Sequence, residues 1–392
     1  MKTATKANLI WDTDALFDIL PSVRPLKSVQ LGQEIEAFKF QSAPYGEKEN
    51  TWVFAAMGTP NTPMPVGGYP AIVLVHGGGG QVYEGWMLYW MSKGFVTIAM
   101  DMFGNQLNEA LEKVVNPESG PKEHDGSNFD GVENPQQSWV YHAVYNVIMA
   151  HNLLRSREDV DKDRIVVTGI SWGGYITNIV AGIDNRFAAL APMYGSGFLY
   201  QDSCWATDEK KFGGTAHRAE WIKLYDPSSY LPNATKPMLY ISGIDDAFFS
   251  TVNRMKSAAL VKGETYYSQR SELPHGHCWA ITHEIPAFFR HILYGENVYV
   301  KLGGAMVKDG VATLQVGEQA HDEVHFVYTL STEEDSHKWK WEKVKLALQN
   351  GEYACEMPQG TTAYFFETCV KEKDEDIYQS TPVYFTNNQY RY

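Results

Sequence analysis

The stretch Gly169-Ile170-Ser171-Trp172-Gly173 places a serine between two glycines. It follows the apolar, β-branched run Ile165 to Thr168 and precedes a helical pattern from Tyr175 to Ala181. Such a pattern predicts a strand, a very tight turn and a helix. In that turn the central residue is forced into a strained backbone conformation, and its neighbours must lack side chains so that strand and helix can approach. The strain lifts the Ser171 hydroxyl clear of the sheet, where it can act as a nucleophile once a base takes its proton.

Two further loops supply what a serine nucleophile needs. After the strand-like "PMLYIS" comes Gly243-Ile244-Asp245-Asp246, and after "TYYSQRSEL" comes Pro274-His275-Gly276-His277. An aspartate after a strand is commonly a turn or helix cap, and a loop histidine is usually only solvated. Their order, serine then acid then histidine, each on a loop after a later strand, is that of a nucleophile, an orienting carboxylate and a base. Asp246 is the expected acid. Of the two histidines, His277 is the expected base because Gly276 can turn the chain toward Ser171; His275 is the alternative.

A tetrahedral intermediate also needs donors aimed at its negative oxygen. "VHGGGG" ends the first parallel-type strand, so Gly78 and Gly79, with the amide of Trp172, are the expected oxyanion donors. The other reading of this loop, a phosphate cradle, lacks the Lys-Ser/Thr of a P-loop, and no convincing dinucleotide fingerprint is present. His76, Tyr194, Trp205 and Trp279 are the expected substrate-contacting side chains.

The elements that must position these groups follow from periodicity. After a polar N-terminal arm, "EIEAFKF" and "TWVFAAMG" read as an antiparallel strand pair. From Ala71 onward "AIVLVH", "FVTIAMD", "RIVVTG", "AALAPMYG", "PMLYISG" and "TYYSQRSEL" alternate with helical stretches. The clearest helix runs from Ser138, a plausible N-cap, to Ser156. This alternation predicts an α/β fold, a mostly parallel sheet with helices on both faces. Residues 102–137 and 196–235 are turn-rich and too long for plain connectors, as walls or lids of a site often are. Trp205, Trp221 and Tyr225 in the second could stack on a substrate, although aromatics in a long loop more often pin it to the core.

Past "EIPAFFRHILYG" the character changes to short alternating strands: "ENVYVKLGG", "GVATLQVG", "EVHFVYTLST", "WKWEKVKLAL", "TTAYFFETCV" and "TPVYFTN". They predict two domains: a catalytic one over 1–296, and a smaller, Ig-like β-sandwich over 297–392 that packs as an accessory. "WKWEKV" reads better as an ordinary half-buried strand than as a sugar-contacting patch.

Composition narrows the partners. Across 392 residues, 33 Lys and Arg against 47 Asp and Glu give a net charge of −14, which repels phosphate backbones and anionic membranes. No apolar run is long enough to span a bilayer, and the first residues lack a secretory apolar core. Cys204, Cys278, Cys355 and Cys369 form no C-x-x-C pair, so free thiols in a reducing, cytoplasmic compartment are expected.

Together "VHGGGG", "GISWGGY", "GIDDAFF" and "PHGHCW" resemble the α/β-hydrolase superfamily, and within it the acetylxylan esterase, dienelactone hydrolase and prolyl oligopeptidase-like group, over roughly residues 70–295. The resemblance implies a serine hydrolase with no metal or organic cofactor, with Ser171 as nucleophile, Asp246 as acid and the His275/His277 segment as base. It further implies an acetylated carbohydrate as substrate and an accessory β-domain at the C-terminus. An aminopeptidase or an esterase of other specificity, and a noncatalytic carbohydrate-binding protein on the same scaffold, are the rival expectations. A prolyl oligopeptidase would carry a propeller that the 70 or so residues before the sheet cannot build.

Overall fold

The computed structural model describes residues 10–32, 34–122, 129, 131–206, 215–315 and 321–386. The chain begins with the short helix α1 (Thr13–Leu16) and strands β1 (Val23–Pro25), β2 (Ile35–Ser42) and β3 (Thr51–Gly58). The arm before them is less polar in role than its composition suggests, because Trp11 is buried and stacks on Tyr141. Strand β4 (Tyr69–Val75), helix α2 (Glu84–Ser92) and strand β5 (Val96–Met100) follow. The expected loop 102–137 contains a small hairpin, β6 (Asn105–Leu107) with β7 (Lys113–Val115).

Helix α3 (Trp139–Ser156) starts where the sequence predicts, with the Ser138 hydroxyl accepting from the Tyr141 N–H at 3.1 Å. Next come β8 (Val160–Ile170), α4 (Trp172–Ala181), β9 (Leu190–Met193), α5 (Thr215–Tyr225), β10 (Met238–Gly243), α6 (Thr251–Leu260), β11 (Thr265–Arg270) and α7 (Glu284–Tyr294). Helix α7 ends at Gly295, whose left-handed φ of 71° is the conformation a helix C-terminus favours in glycine.

Strands β5, β4, β8, β9, β10 and β11 pair parallel in that spatial order, while β1, β2 and β3 extend the β5 side antiparallel. Every residue of β4, β5, β9 and β10 is buried, the signature of a sheet covered on both faces. The strand order reverses direction around β4 and β8, so their C-terminal ends open the crevice in which sheets of this type carry a site.

The C-terminal region supplies β12 (Met306–Lys308), β13 (Val311–Gln315), β14 (Glu323–Thr329), β15 (Trp341–Lys345), β16 (Glu352–Glu356), β17 (Ala363–Glu372), β18 (Glu375–Ser380) and β19 (Tyr384–Phe385). Two layers form a small sandwich: Ala312, Leu314 and Tyr353 of the three-stranded sheet β12-β13-β16 pack on Val324, Phe326, Tyr364 and Phe366. The second layer is no separate sheet. Strand β18 pairs antiparallel with β11, so one fourteen-stranded sheet runs through the molecule, ending β11-β18-β17-β14-β15. The expected strand "ENVYVKLGG" is irregular in the structure, whereas β18 was not anticipated.

Candidate active site

The turn after β8 is as tight as its glycines require. Ser171 has φ 56° and ψ −115°, a left-handed region that strains a side-chain-bearing residue by about 1–3 kcal/mol. A Cβ on Gly169 would meet the Gly173 carbonyl oxygen at 2.2 Å, and one on Gly173 would meet the Val75 oxygen at 2.0 Å. The Ser171 N–H donates to Met193 O at 2.9 Å, tying the turn to β9. Helix α4 begins at the next residue, so its N-terminal dipole faces whatever develops at the serine oxygen.

Ser171 Oγ lies 2.9 Å from Nε2 of His275, and His275 Nδ1 lies 2.8 Å from Oδ2 of Asp246. A carboxylate only accepts, so Nδ1 carries the proton and Nε2 presents its lone pair to the serine hydroxyl. Asp246 is 5% exposed. Burial pushes its carboxyl up, but the hydrogen bond and charge of His275, with Arg254 and the Phe249 amide, outweigh this and hold it below the usual range. Its Oδ1 accepts from the amides of Phe248 at 2.8 Å and Phe249 at 2.9 Å, which leaves Oδ2 for the histidine.

The expectation that His277 occupies the base position is therefore corrected to His275. Pro274 follows the turn that ends β11 at Arg270, and the Tyr194 hydroxyl donates to the Pro274 carbonyl at 2.7 Å, with its ring 4.4 Å from that of His275. His277 instead reaches the glycine loop, where its Nε2 accepts from the Gly77 N–H at 3.3 Å. Burial, followed by the neighbouring His76 and His275, lowers its pKa to about 4, so the ring is neutral. That loop abuts the elbow: a Cβ on Gly77 would fall 3.0 Å from Ser171 Cβ, and one on Gly78 would fall 2.9 Å from Trp172 Cδ1. Gly77 thus borders Ser171 itself and Gly78 borders the Trp172 indole, while the Gly79 carbonyl accepts from Lys113 Nζ at 2.8 Å.

Three of the four expected substrate-contacting side chains take other roles. His76 is 2% exposed, and its Nε2 accepts from the Met102 N–H at 3.0 Å, anchoring the glycine loop from beneath. Tyr194 is fully buried behind His275. Trp205 is 7% exposed and packs 4.9 Å from Trp172 and 5.3 Å from Phe249. Trp221 and Tyr225 are likewise buried, pinning their loop. Trp279 remains half-buried beside Tyr83, Trp86 and His277, an aromatic wall on one side of the site. On the other side Phe248, 44% exposed, lies 4.7 Å from the His275 ring.

Sequence reasoning missed the supports of the acid loop. Arg254 is fully buried; burial lowers its pKa to about 10, and it donates to Phe249 O, to Gly243 O at 2.8 Å and to Thr251 Oγ1 at 2.7 Å. An arginine closing the first turn of α6, Thr251–Arg254, which holds no other charge, was the available signal. His337, from the C-terminal region, donates from Nδ1 to the backbone oxygen of Asp246 at 2.7 Å. Among the described residues, one group has metal-ligand character: Asp202, Asp335 and His337, with candidate atoms within 4.8 Å of one another. These atoms already hold Ser336, Lys338 and the Asp246 carbonyl, and they do not reach the nucleophile. No disulfide joins any of the four cysteines. No helix among the described residues is long and apolar enough to cross a membrane.

A parallel sheet with a serine elbow after β8, an acid after β10 and a histidine after β11 defines the fold: the chain folds as an α/β hydrolase. Residues 33–211 match the family described as acetyl xylan esterase (AXE1). In three dimensions the chain is similar to the acetyl xylan esterase from Paenibacillus sp. R4, at TM-score 0.57 and 19% identity, covering 76% of this chain and 96% of that one. It is similar also to acetyl xylan esterase 1 from Thermoanaerobacterium sp. JW/SL YS485, at TM-score 0.53 and 14% identity, covering 74% and 95%. No curated protein sequence matches the chain. The family match supports a hydrolase of the esterase type.

Proposed function

We propose that the protein is a serine carboxylester hydrolase that removes acetyl groups from a carbohydrate. The observation that carries this reading is the unbroken array of Asp246, His275 and Ser171, with donor–acceptor separations of 2.8 and 2.9 Å. Ser171 Oγ attacks the ester carbonyl carbon as His275 Nε2 takes its proton, and Asp246 holds the tautomer that makes this possible. The Trp172 amide and one from the His76–Gly80 loop receive the negative oxygen, aided by the α4 dipole. His275 returns the proton to the leaving sugar hydroxyl, and an acetyl ester remains on Ser171. Water, deprotonated by the same histidine, releases acetate and restores the serine.

The acetyl and carbohydrate parts of the reading rest on the family match over residues 33–211. The test is a panel of p-nitrophenyl acetate, longer-chain p-nitrophenyl esters, acetylated xylo-oligosaccharides and aminoacyl nitroanilides, with fluorophosphonate labelling of Ser171. Highest kcat/KM on acetylated saccharides is expected. Preference for the nitroanilides, or no labelling, would reject it.

A further inference from the structure

A turn of the C-terminal β-region reaches the catalytic acid. The turn Ser336–Lys338, between β14 and β15, presses on two segments of the hydrolase body at once. Ser336 donates from its backbone N–H at 3.4 Å and its hydroxyl at 2.5 Å to the Asp202 carboxylate. His337 donates from Nδ1 to the Asp246 carbonyl at 2.7 Å. Those two segments are themselves paired, since Ser203 bridges Phe249 and the Cys204 N–H donates to Phe248 O at 3.4 Å. Next to the turn, Trp339 is 3% exposed in an apolar cluster with Ile244, Val252 and Met255 from the acid loop and α6.

We propose that His337 is a positioning residue for the triad, acting through the backbone of Asp246; the inference rests on the serine-hydrolase reading above. A carbonyl oxygen only accepts, so the His337 ring must present Nδ1–H, and that bond fixes the plane of the Asp246–Ala247 peptide. The following amides, Phe248 and Phe249, are the donors that orient the Asp246 carboxylate. A tilt of this peptide therefore moves Oδ2 relative to His275 Nδ1, and with it the ring that faces Ser171. Displacements of about 1 Å in such arrays slow turnover by about 100-fold. The C-terminal region is thus part of the catalytic apparatus without supplying a group that touches substrate.

The test compares full-length His337→Ala, His337→Gln and His337→Asn on p-nitrophenyl acetate. An asparagine amide places its N–H near the position of Nδ1, and a glutamine amide near that of Nε2. We expect kcat to fall by roughly 10- to 100-fold in the Ala and Gln variants with KM within about twofold of the parent. The Asn variant is expected to stay within about threefold. The fluorophosphonate inactivation rate should follow kcat. If the Ala variant is poorly folded by thermal melting, the Asn and Gln pair decides. Equal losses in those two, or a folded Ala variant with at least half the parental kcat, would overturn the proposal. Retained turnover in Ser171→Ala would instead reject the underlying serine mechanism, whatever the ranking of the His337 variants.

Discussion

His275 and His277 lie two residues apart yet serve different neighbours: the first bridges Ser171 and Asp246, the second accepts from the Gly77 amide. Their separation of roles yields a ranking. His275→Ala is expected to lose about as much turnover as Ser171→Ala, several orders of magnitude, because base and nucleophile act as one unit. His277→Ala leaves the triad intact and disturbs only the glycine loop, so a loss of about tenfold is expected. Steady-state kinetics on p-nitrophenyl acetate decide it; a larger loss in His277→Ala would return the base to that residue.

Gly173 tolerates no side chain. An alanine Cβ would meet the Val75 oxygen at 2.0 Å and the His76 oxygen at 2.7 Å, both backbone atoms in the buried sheet. Gly173→Ala should lose about 3 kcal/mol or more of stability in urea unfolding, at the severe end of overpacking effects. Gly276→Ala, whose Cβ would find only Cys278 Sγ at 3.6 Å, is the matched control and should be near neutral. Similar midpoints for the two variants would show that the elbow is looser than these distances imply.

Acid should destabilise the fold through its buried histidines. Burial, partly offset by a hydrogen bond with the Gln136 backbone, lowers the His142 pKa to about 4, against about 6.5 in an unfolded chain. The unfolded state thus takes up a proton that the folded state refuses between those values. The stability is whole above pH 6.5 and declines as pH falls toward 4, by up to about 3 kcal/mol for this residue. Buried Glu284 and Asp226, whose carboxyl groups burial pushes up, work in the opposite sense. The measurement is therefore the difference between parent and His142→Gln in urea midpoints from pH 7.5 to 4.5. Parallel pH profiles would show that His142 is not responsible.

Much of the site was legible because its chemistry sits at strand ends in a fixed order. The glycines of the elbow, the acid Asp246 and the loop after β4 each carried a local signature. The choice between His275 and His277 did not, since it depends on how Pro274 meets Tyr194, a residue 80 positions earlier. The burial of Trp205, Tyr194 and His76 was not legible for a related reason: an aromatic or histidine near a nucleophile can line the cleft or brace it from behind, and the sequence carries the same signal for both. Strand β18, "EDIYQS", escaped notice because its two acidic residues hide a short alternating pattern. His337 lay in a segment with no chemical motif at all.

The meeting of β18 with β11 also decides how the molecule presents itself to its own copies. A hydrolase sheet that stopped at β11 would leave a row of open N–H and C=O groups, the template on which proteins recruit a foreign strand and aggregate. Here that side is occupied, and the fourteen-stranded sheet terminates instead at β15 and β1. Strand β15 carries exposed Glu342, Lys343 and Lys345, and β1 carries exposed Arg24 and Pro25. Charge and a missing amide proton guard both of these margins against strand-by-strand growth.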